Sequence, residues 1–259
     1  VSGSVKVPAT YGSLRGKRVF VTGGGSGIGE AIVEAFAQQG ALVAFVDIAV
    51  EASEALVARI AAAGHPAPLF RATDITDIPA LQQTITGFAA QIGDFDILVN
   101  NAANDQRHNA EDVTLEYWNE RIAINQRPMF FTCQSVLAGM KKKGGGSIIN
   151  ISSMSFHAKN PGYPVYGTTK AAVTGLTRCL ARDFGPHGIR VNTVTPGWVM
   201  TQRQVDLWLD EAGEAEIRRA QCLPGKLMPH DVAAMILFLG ADDSAMCTGQ
   251  DFVVDAGWI

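Results

Sequence analysis

An apolar strand pattern, Arg18-Val19-Phe20-Val21-Thr22, runs straight into Gly23-Gly24-Gly25-Ser26-Gly27-Ile28-Gly29 and then into the helical pattern led by Glu30, Ala31 and Ile32. Glycines let the chain turn sharply there and let a phosphate approach the helix N-terminus, whose unpaired N–H groups and positive dipole end favour anions. A tight strand-to-helix turn without a ligand has the same composition, so the next strand must discriminate. Asp47 follows the apolar run Ala41 to Val46, close to the spacing of an acid that grips the adenosine ribose hydroxyls. Its carboxylate repels a 2′-phosphate, and neither Gly24 nor Ile48 supplies an offsetting cation, so the pattern favours NAD over NADP. An aspartate that only caps the following helix is the alternative.

Strand and helix patterns alternate along the rest of the chain. The strand candidates are Arg18 to Thr22, Ala41 to Val46, Pro68 to Arg71, Phe95 to Asn100, Ser147 to Ser152, Ile189 to Val194 and Phe252 to Val254. Helical periodicity falls near 27–39, 50–63, 77–91, 112–141, 164–184 and 229–240, with a less regular piece at 203–220. This alternation predicts an α/β chain with a single-domain, doubly wound Rossmann fold: a seven-stranded parallel sheet with helices on both faces and right-handed crossovers. Residues 1–13 read as an N-terminal arm, and residues 14–259 as one dinucleotide-binding and catalytic domain. The long insertion between sheet elements, 201–229, reads either as a substrate lid or as a helix that packs on a neighbour.

The bulk chemistry excludes several partners. A net charge of -4, from 21 Lys plus Arg against 25 Asp plus Glu, opposes nucleic-acid binding. The one basic run, Lys141 to Lys143, precedes Gly144 to Gly146 and reads as a helix end and surface turn. Cys133, Cys179, Cys222 and Cys247 form no CxxC pair and read as buried, reduced thiols of a cytoplasmic protein. The 5 histidines show no paired ligand spacing, so no metal is expected. No apolar run approaches the ~18 residues of a membrane span, and the start has no basic-then-apolar signal, so no membrane partner is expected.

Tyr166 and Lys170 lie four apart at the start of a predicted helix and share one face. A tyrosine works as an acid/base when its pKa approaches the working pH, and a nearby ammonium favours the phenolate. Lowering that pKa by two or three units takes roughly 3 to 4 kcal/mol, which the lysine and a positively charged nicotinamide are expected to supply together. The same pair is common on solvent-exposed helices, so its company matters. Ser153 ends the strand Ser147 to Ser152, where carboxyl ends of parallel strands meet the crevice, and its hydroxyl can donate to a substrate oxygen as charge develops. Ser152, pointing the opposite way, competes for that role. Asn125 lies three residues before Pro128, which must release the carbonyl of Ile124. That kink can hold a water that passes protons from Lys170 to solvent, or the asparagine only accommodates the bend.

With these motifs in order, the chain from Leu14 to Ile259 resembles the short-chain dehydrogenase/reductase family: Thr22 to Gly29, Asp74, Asn100-Asn101-Ala102-Ala103, Asn125, Ser153, Tyr166 with Lys170, and Pro196-Gly197 with Thr201. The resemblance implies a catalytic set of Asn125, Ser153, Tyr166 and Lys170, with Lys170 also holding the nicotinamide ribose. It implies cofactor contacts from Gly23, Ser26, Gly27, Ile28, Asp47, Asp74, Ile75, Asn101, Ala102, Tyr166, Lys170, Pro196, Gly197, Val199 and Thr201, and support of the fourth strand by Asn100. Ala103, where the family usually has glycine, narrows the backbone approach.

The candidate substrate pocket is formed by the polar stretch Asn104 to His108, by Ser155 to Tyr163 and by Trp198 to Gln204, with Asn104, Ser155, Tyr163, Trp198 and Gln204 as candidate contacts. Several donors and acceptors with an aromatic face suit a polyhydroxylated ligand, although a polar surface loop has the same composition. Asn104 to His108, Gln221-Cys222-Leu223, Cys247-Thr248-Gly249 and Asp255-Ala256-Gly257-Trp258 resemble bacterial NAD-dependent aldose 1-dehydrogenases. That resemblance implies oxidation of a pyranose at C1 to a lactone, with a polyol or secondary alcohol as the alternative substrate, and a homotetramer. Apolar stretches Phe130 to Leu137 and Ile236 to Leu239 are candidates for its interfaces or for the core. A cofactor-sensing protein without turnover is the reading from another class, and the intact Ser153, Tyr166 and Lys170 set argues against it.

Overall fold

The computed structural model describes residues 9–259, so most of the expected arm lies outside the described residues. Packing begins at Tyr11, whose N–H donates to Gln39 Oε1 at 2.9 Å, and at Leu14, which is fully buried. Seven strands follow: β1 (Arg18–Thr22), β2 (Leu42–Asp47), β3 (Leu69–Ala72), β4 (Ile97–Asn100), β5 (Gly146–Ile151), β6 (Ile189–Pro196) and β7 (Asp251–Val254). They form one parallel sheet in the order β3-β2-β1-β4-β5-β6-β7. The order reverses between β1 and β4, which opens a crevice at the carboxyl ends of the strands.

Consecutive strand residues face opposite layers, as the two-residue period requires. Val19, Val21, Val43, Phe45, Ile97 and Val99 pack against α1 (Gly27–Gln38), α2 (Val50–Ala62) and α9 (Pro229–Gly240). Phe20, Ala44, Val46, Leu98 and Ile148 pack against α3 (Ile78–Ile92), α5 (Arg127–Lys143) and α6 (Pro164–Phe184). Burial on both faces is why these strands read as unbroken apolar runs rather than as alternating ones.

The single helix expected over 112–141 is two helices, α4 (Leu115–Asn125) and α5, separated at Gln126, whose φ of -128° and ψ of -54° leave the helical range. Pro128 cannot donate an N–H to residue 124, and it sits in the first turn of α5, where that loss costs nothing. The basic run closes α5 at Lys143, with Gly144 left-handed at φ 77°, while Gly146 already belongs to β5. Of the four thiols expected to be buried, Cys133 is buried, Cys247 is half-buried, and Cys179 on α6 and Cys222 between α8 (Glu211–Ala220) and α9 are exposed. Ile236, Leu237 and Leu239 are buried against the sheet, so that stretch belongs to the core.

A buried polar ladder ties the layer of α5 and α6 to the sheet. Asn100 donates to Asn150 Oδ1 at 2.9 Å and accepts from Thr132 Oγ1 at 2.6 Å. Asn150 donates to Thr177 Oγ1 at 3.0 Å, and Thr193 Oγ1 lies 2.8 Å from the same hydroxyl. These bonds link β4, β5, β6, α5 and α6. Each contributes only about 1 kcal/mol net, but leaving any partner unpaired in this layer costs about 1–3 kcal/mol.

Candidate active site

The strand ends and the connections beyond them enclose a cleft of about 1570 Å³. A typical drug-sized site spans about 300–1,000 Å³, so this cleft has room for a dinucleotide and a second ligand.

One half is built by the glycine turn. Gly23 turns back at φ 68°, and a Cβ there would lie 2.8 Å from Ala102 Cα. A Cβ on Gly29 would lie 1.7 Å from the Gly23 carbonyl oxygen, so no side chain fits at that position. The turn is held from below: Thr22 Oγ1 accepts from the N–H groups of Asn101 and Ala102, and Asn101 Nδ2 donates to Gly23 O at 2.9 Å. Asn101 thus shapes the turn with its amide nitrogen. Ser26 is the N-cap of α1 but its side chain makes no capping bond. The first N–H groups of the helix therefore face the cleft without an intrahelical partner.

Asp47 closes that half. Its Oδ2 accepts from Gly25 N–H at 2.8 Å and its Oδ1 from Ala49 N–H at 2.9 Å. These bonds fix the carboxylate and leave further acceptor capacity on both oxygens. Gly24 is packed beneath Phe45, where a Cβ would approach a ring carbon to 2.6 Å, so a cationic side chain has no space there. Asp74 accepts from both the N–H and hydroxyl of Thr76 at 2.8 Å, and Ile75 lines the same end. The turn, the bare helix N-terminus and the fixed carboxylate fit a pyrophosphate with an adenosine ribose.

The other half holds Tyr166, Lys170, Ser153 and Asn125. Tyr166 is 9% exposed, Lys170 is 1% exposed and Asn125 is fully buried. Lys170 Nζ donates to Ile151 O at 2.9 Å and lies 5.7 Å from the Tyr166 ring centroid. Ser152 Oγ donates to Lys170 O at 2.8 Å, on the buried side of the strand end. Ser153, one residue on, lines the cleft and hydrogen bonds with Tyr166. The competition between the two serines is thus separated by strand alternation. Asn125 Oδ1 accepts from Asn104 N–H at 2.7 Å while its Nδ2 donates to Asn104 O at 3.1 Å. Both of its polar atoms hold the connection after β4.

In the protein alone, the Tyr166 pKa is shifted upward. Burial of the phenol raises it well above 10.0, the Asp105 carboxylate adds to the rise, and the hydrogen bond from Ser153 opposes both. Lys170 itself is lowered from 10.5 to about 8 by burial, against the pull of Asp105. The sequence places the lysine beside the tyrosine but does not show how fully the chain removes both from water.

The insertion over 201–229 folds into α7 (Gln202–Trp208) and α8 (Glu211–Ala220), and α7 lines the cleft. It is latched to the connection after β4. Gln204 Nε2 donates to Asp105 Oδ2 at 2.6 Å, Arg203 Nε reaches Asp105 Oδ1 at 3.4 Å, and the Arg107 guanidinium lies 3.8 Å from the Trp208 ring centroid. Trp198 Nε1 donates to Gln204 Oε1 at 2.9 Å, and its ring meets Trp258 edge-on at 6.4 Å. Tyr163 accepts from Arg107 Nε at 2.8 Å and stands 5.8 Å from Tyr166. Ser155 Oγ is buried without a hydrogen-bond partner. Pro196, Gly197, Val199 and Thr201 line the seam between the halves. Asp105 and Arg107 fall within the expected stretch Asn104 to His108, whereas Trp208 and Trp258 lie outside the three expected pocket stretches and reach the cleft only through the tertiary arrangement.

A family profile described as enoyl-(acyl carrier protein) reductase matches residues 23–259. The chain is 50% identical over 250 residues to a D-xylose 1-dehydrogenase of Caulobacter vibrioides (strain NA1000 / CB15N), covering 96% of this chain and 98% of that protein. It is 46% identical over 247 residues to a Rhizobium meliloti (strain 1021) protein named as a probable galactose dehydrogenase, covering 95% and 96%. Among solved structures, a 7α-hydroxysteroid dehydrogenase complexed with NADH and 7-oxo glycochenodeoxycholic acid matches with a TM-score of 0.90 and 31% identity, over 95% of this chain and 96% of that one.

Proposed function

Because the chain belongs to the short-chain dehydrogenase/reductase family and is an oxidoreductase of the CH–OH type, we propose that it oxidises an aldose at C1 to the aldonolactone with NAD. The observation that carries this reading is the position of Tyr166. It stands where the glycine-lined half of the cleft meets a half lined by Asp105, Ser155, Trp198 and Gln204, a set of donors, acceptors and aromatic faces suited to a polyhydroxylated ring. The sugar dehydrogenases among its relatives support the same substrate class.

Bound NAD supplies the acceptor for the hydride that leaves C1. Tyr166 Oη, as the phenolate, takes the proton of the anomeric hydroxyl, so the substrate loses one proton and one hydride and gains a carbonyl. Ser153 orients the reacting oxygen and, by hydrogen bonding to Tyr166, opposes the rise in its pKa. The ammonium of Lys170, held against Ile151 O, favours the phenolate form of Tyr166 that accepts the substrate proton. Asn125 fixes the Asn104 backbone at the cleft wall.

NAD rather than NADP is supported by Asp47 and by the absence of any lysine or arginine among the described residues lining that end of the cleft. We also propose a homotetramer. Leu115 and Trp118 on α4, Phe130 on α5 and Val253 on β7 leave large apolar side chains exposed on the α4–α5 and sheet-edge surfaces.

A screen of initial rates tests the substrate class. Free aldoses are expected to reduce NAD faster than matched polyols, secondary alcohols or hydroxysteroids, with the aldonic acid as the final product after lactone hydrolysis. Polyols outrunning every aldose would remove the sugar assignment and leave the Tyr166 chemistry standing.

A further inference from the structure

The catalytic helix is capped by a histidine from the opposite wall. α6 begins at Pro164, and its N-cap residue Tyr163 offers no side-chain bond to the first turn. Instead Val165 N–H, immediately before Tyr166, donates to His108 Nε2 at 3.1 Å. A ring nitrogen that accepts an N–H bond carries no proton, so the ring is neutral with its proton on Nδ1. That nitrogen lies 2.8 Å from Tyr117 Oη and 3.0 Å from Gln106 O, a carbonyl that can only accept. The His108 N–H adds a backbone tie to Gly162 O at 3.0 Å. One residue thereby joins the connection after β4, α4 and the start of α6.

We propose that His108, as the neutral Nδ1–H tautomer, is a positioning residue for Tyr166, and that protonating its ring releases the cap on α6 and misplaces the phenol. The proposal rests on the reading of Tyr166 as the acid/base. An imidazolium donates from both nitrogens, so it would set an N–H against the Val165 N–H and add positive charge at the positive end of a helix.

The charged and titratable surroundings offer no compensating acceptor. On α4, Tyr117 contacts the imidazole at 4.9 Å between ring centroids, with the Arg121 guanidinium 5.1 Å from the Tyr117 ring and Glu120 already paired to Arg121. Arg121 is 2% exposed; its Nη2 is paired with Glu120, and its Nε and Nη1 have no hydrogen-bond partner, so α4 offers cationic donors rather than a free acceptor behind Tyr117. Lys159 and Tyr163, from the β5–α6 connection, line the shallow pocket that His108 also lines. On its own connection, Arg107 is engaged with Tyr163 and Trp208, and Asp105 with Gln204 and Arg203.

The test combines one measurement on the parent protein with two variants. Nitrogen NMR of histidine-labelled parent protein should show His108 as the Nδ1–H tautomer at pH 8; an Nε2–H tautomer overturns the proposal without reference to any substrate. With D-xylose and NAD as probes, His108→Ala should lower kcat at least tenfold with NAD affinity within twofold of the parent, since small misplacements of a reacting group cost up to ~100-fold. His108→Gln retains an acceptor that does not titrate; it should restore most of kcat at pH 8 and lose less of that kcat on acidification than the parent does. A His108→Ala kcat within twofold of the parent, or an acidic limb unchanged in His108→Gln, overturns the proposal. Tyr166→Phe is run alongside: if it keeps turnover, the acid/base reading fails, and the role of His108 as its positioning residue falls with it, whatever the tautomer.

Discussion

Replacing Lys170 by methionine should abolish turnover and yet stabilise the fold at neutral pH. The ammonium is 1% exposed, and burial lowers its pKa from 10.5 to about 8. At ~1.36 kcal/mol per pH unit, holding the charged form in the folded chain costs roughly 3 kcal/mol relative to the neutral amine. Methionine removes that cost and fills similar space, but it leaves Ile151 O without the donor now at 2.9 Å, which costs about 1–2 kcal/mol. The net gain at pH 7 is about 1–2 kcal/mol, and a chain of this size then melts about 3–6 °C higher. The pH dependence has a definite sign. The folded-state pKa is depressed, so the penalty in the parent is complete below pH about 8 and is relieved as pH rises from there toward 10.5. Near pH 9.5 it has fallen to somewhat above 1 kcal/mol by the same relation, and the two melting curves should nearly coincide. Thermal melts of both proteins at matched concentration, at pH 7.0 and pH 9.5, make the comparison. A variant that melts below the parent at pH 7, or a gap that does not shrink at the higher pH, refutes the assignment of a buried, charged lysine.

Asp47→Ala should reduce the preference for NAD by tenfold or more in the ratio of kcat/KM values for the two cofactors, because it removes a carboxylate already fixed by Gly25 and Ala49; a parent that prefers NADP contradicts the reading of this residue. Gly29→Ala should abolish NAD binding in a fluorescence titration, since its Cβ would lie 1.7 Å from the Gly23 carbonyl oxygen and the turn must move; unchanged affinity would show that the turn is not the phosphate cradle. Sedimentation at micromolar concentration should show a tetramer, and Phe130→Glu should shift it toward smaller species; a parent that sediments only as a monomer refutes the proposed assembly.

Features governed by local chemistry were legible in the sequence. The Thr22 to Gly29 turn, the apolar strands and most of the helices depend on backbone freedom and hydrophobic period, and most strand boundaries agree within one or two residues. Features decided by distant partners were not. Pro128 signals a disruption, but the break falls at Gln126 as Asn125 is held by the Asn104 backbone. The insertion before α9 stood out by length, while its latch requires Asp105 and Arg107 from the far wall. The rise in the Tyr166 pKa needs the burial of the phenol and the nearness of Asp105, neither of which follows from its spacing to Lys170. The outward placement of Cys179 follows from which face of α6 meets the sheet.

The most direct test of the account is single-turnover hydride transfer from an aldose to NAD in the parent and in Tyr166→Phe, with NAD affinity measured on the same samples. Phenylalanine keeps the ring that packs near Lys170 and Tyr163 and deletes only the proton carrier. The predicted result is a fall in the hydride-transfer rate of at least ~100-fold, within the usual contribution of a positioned general base, with NAD affinity within a few-fold of the parent. A Tyr166→Phe variant that reduces NAD at a rate near the parent's would contradict the account.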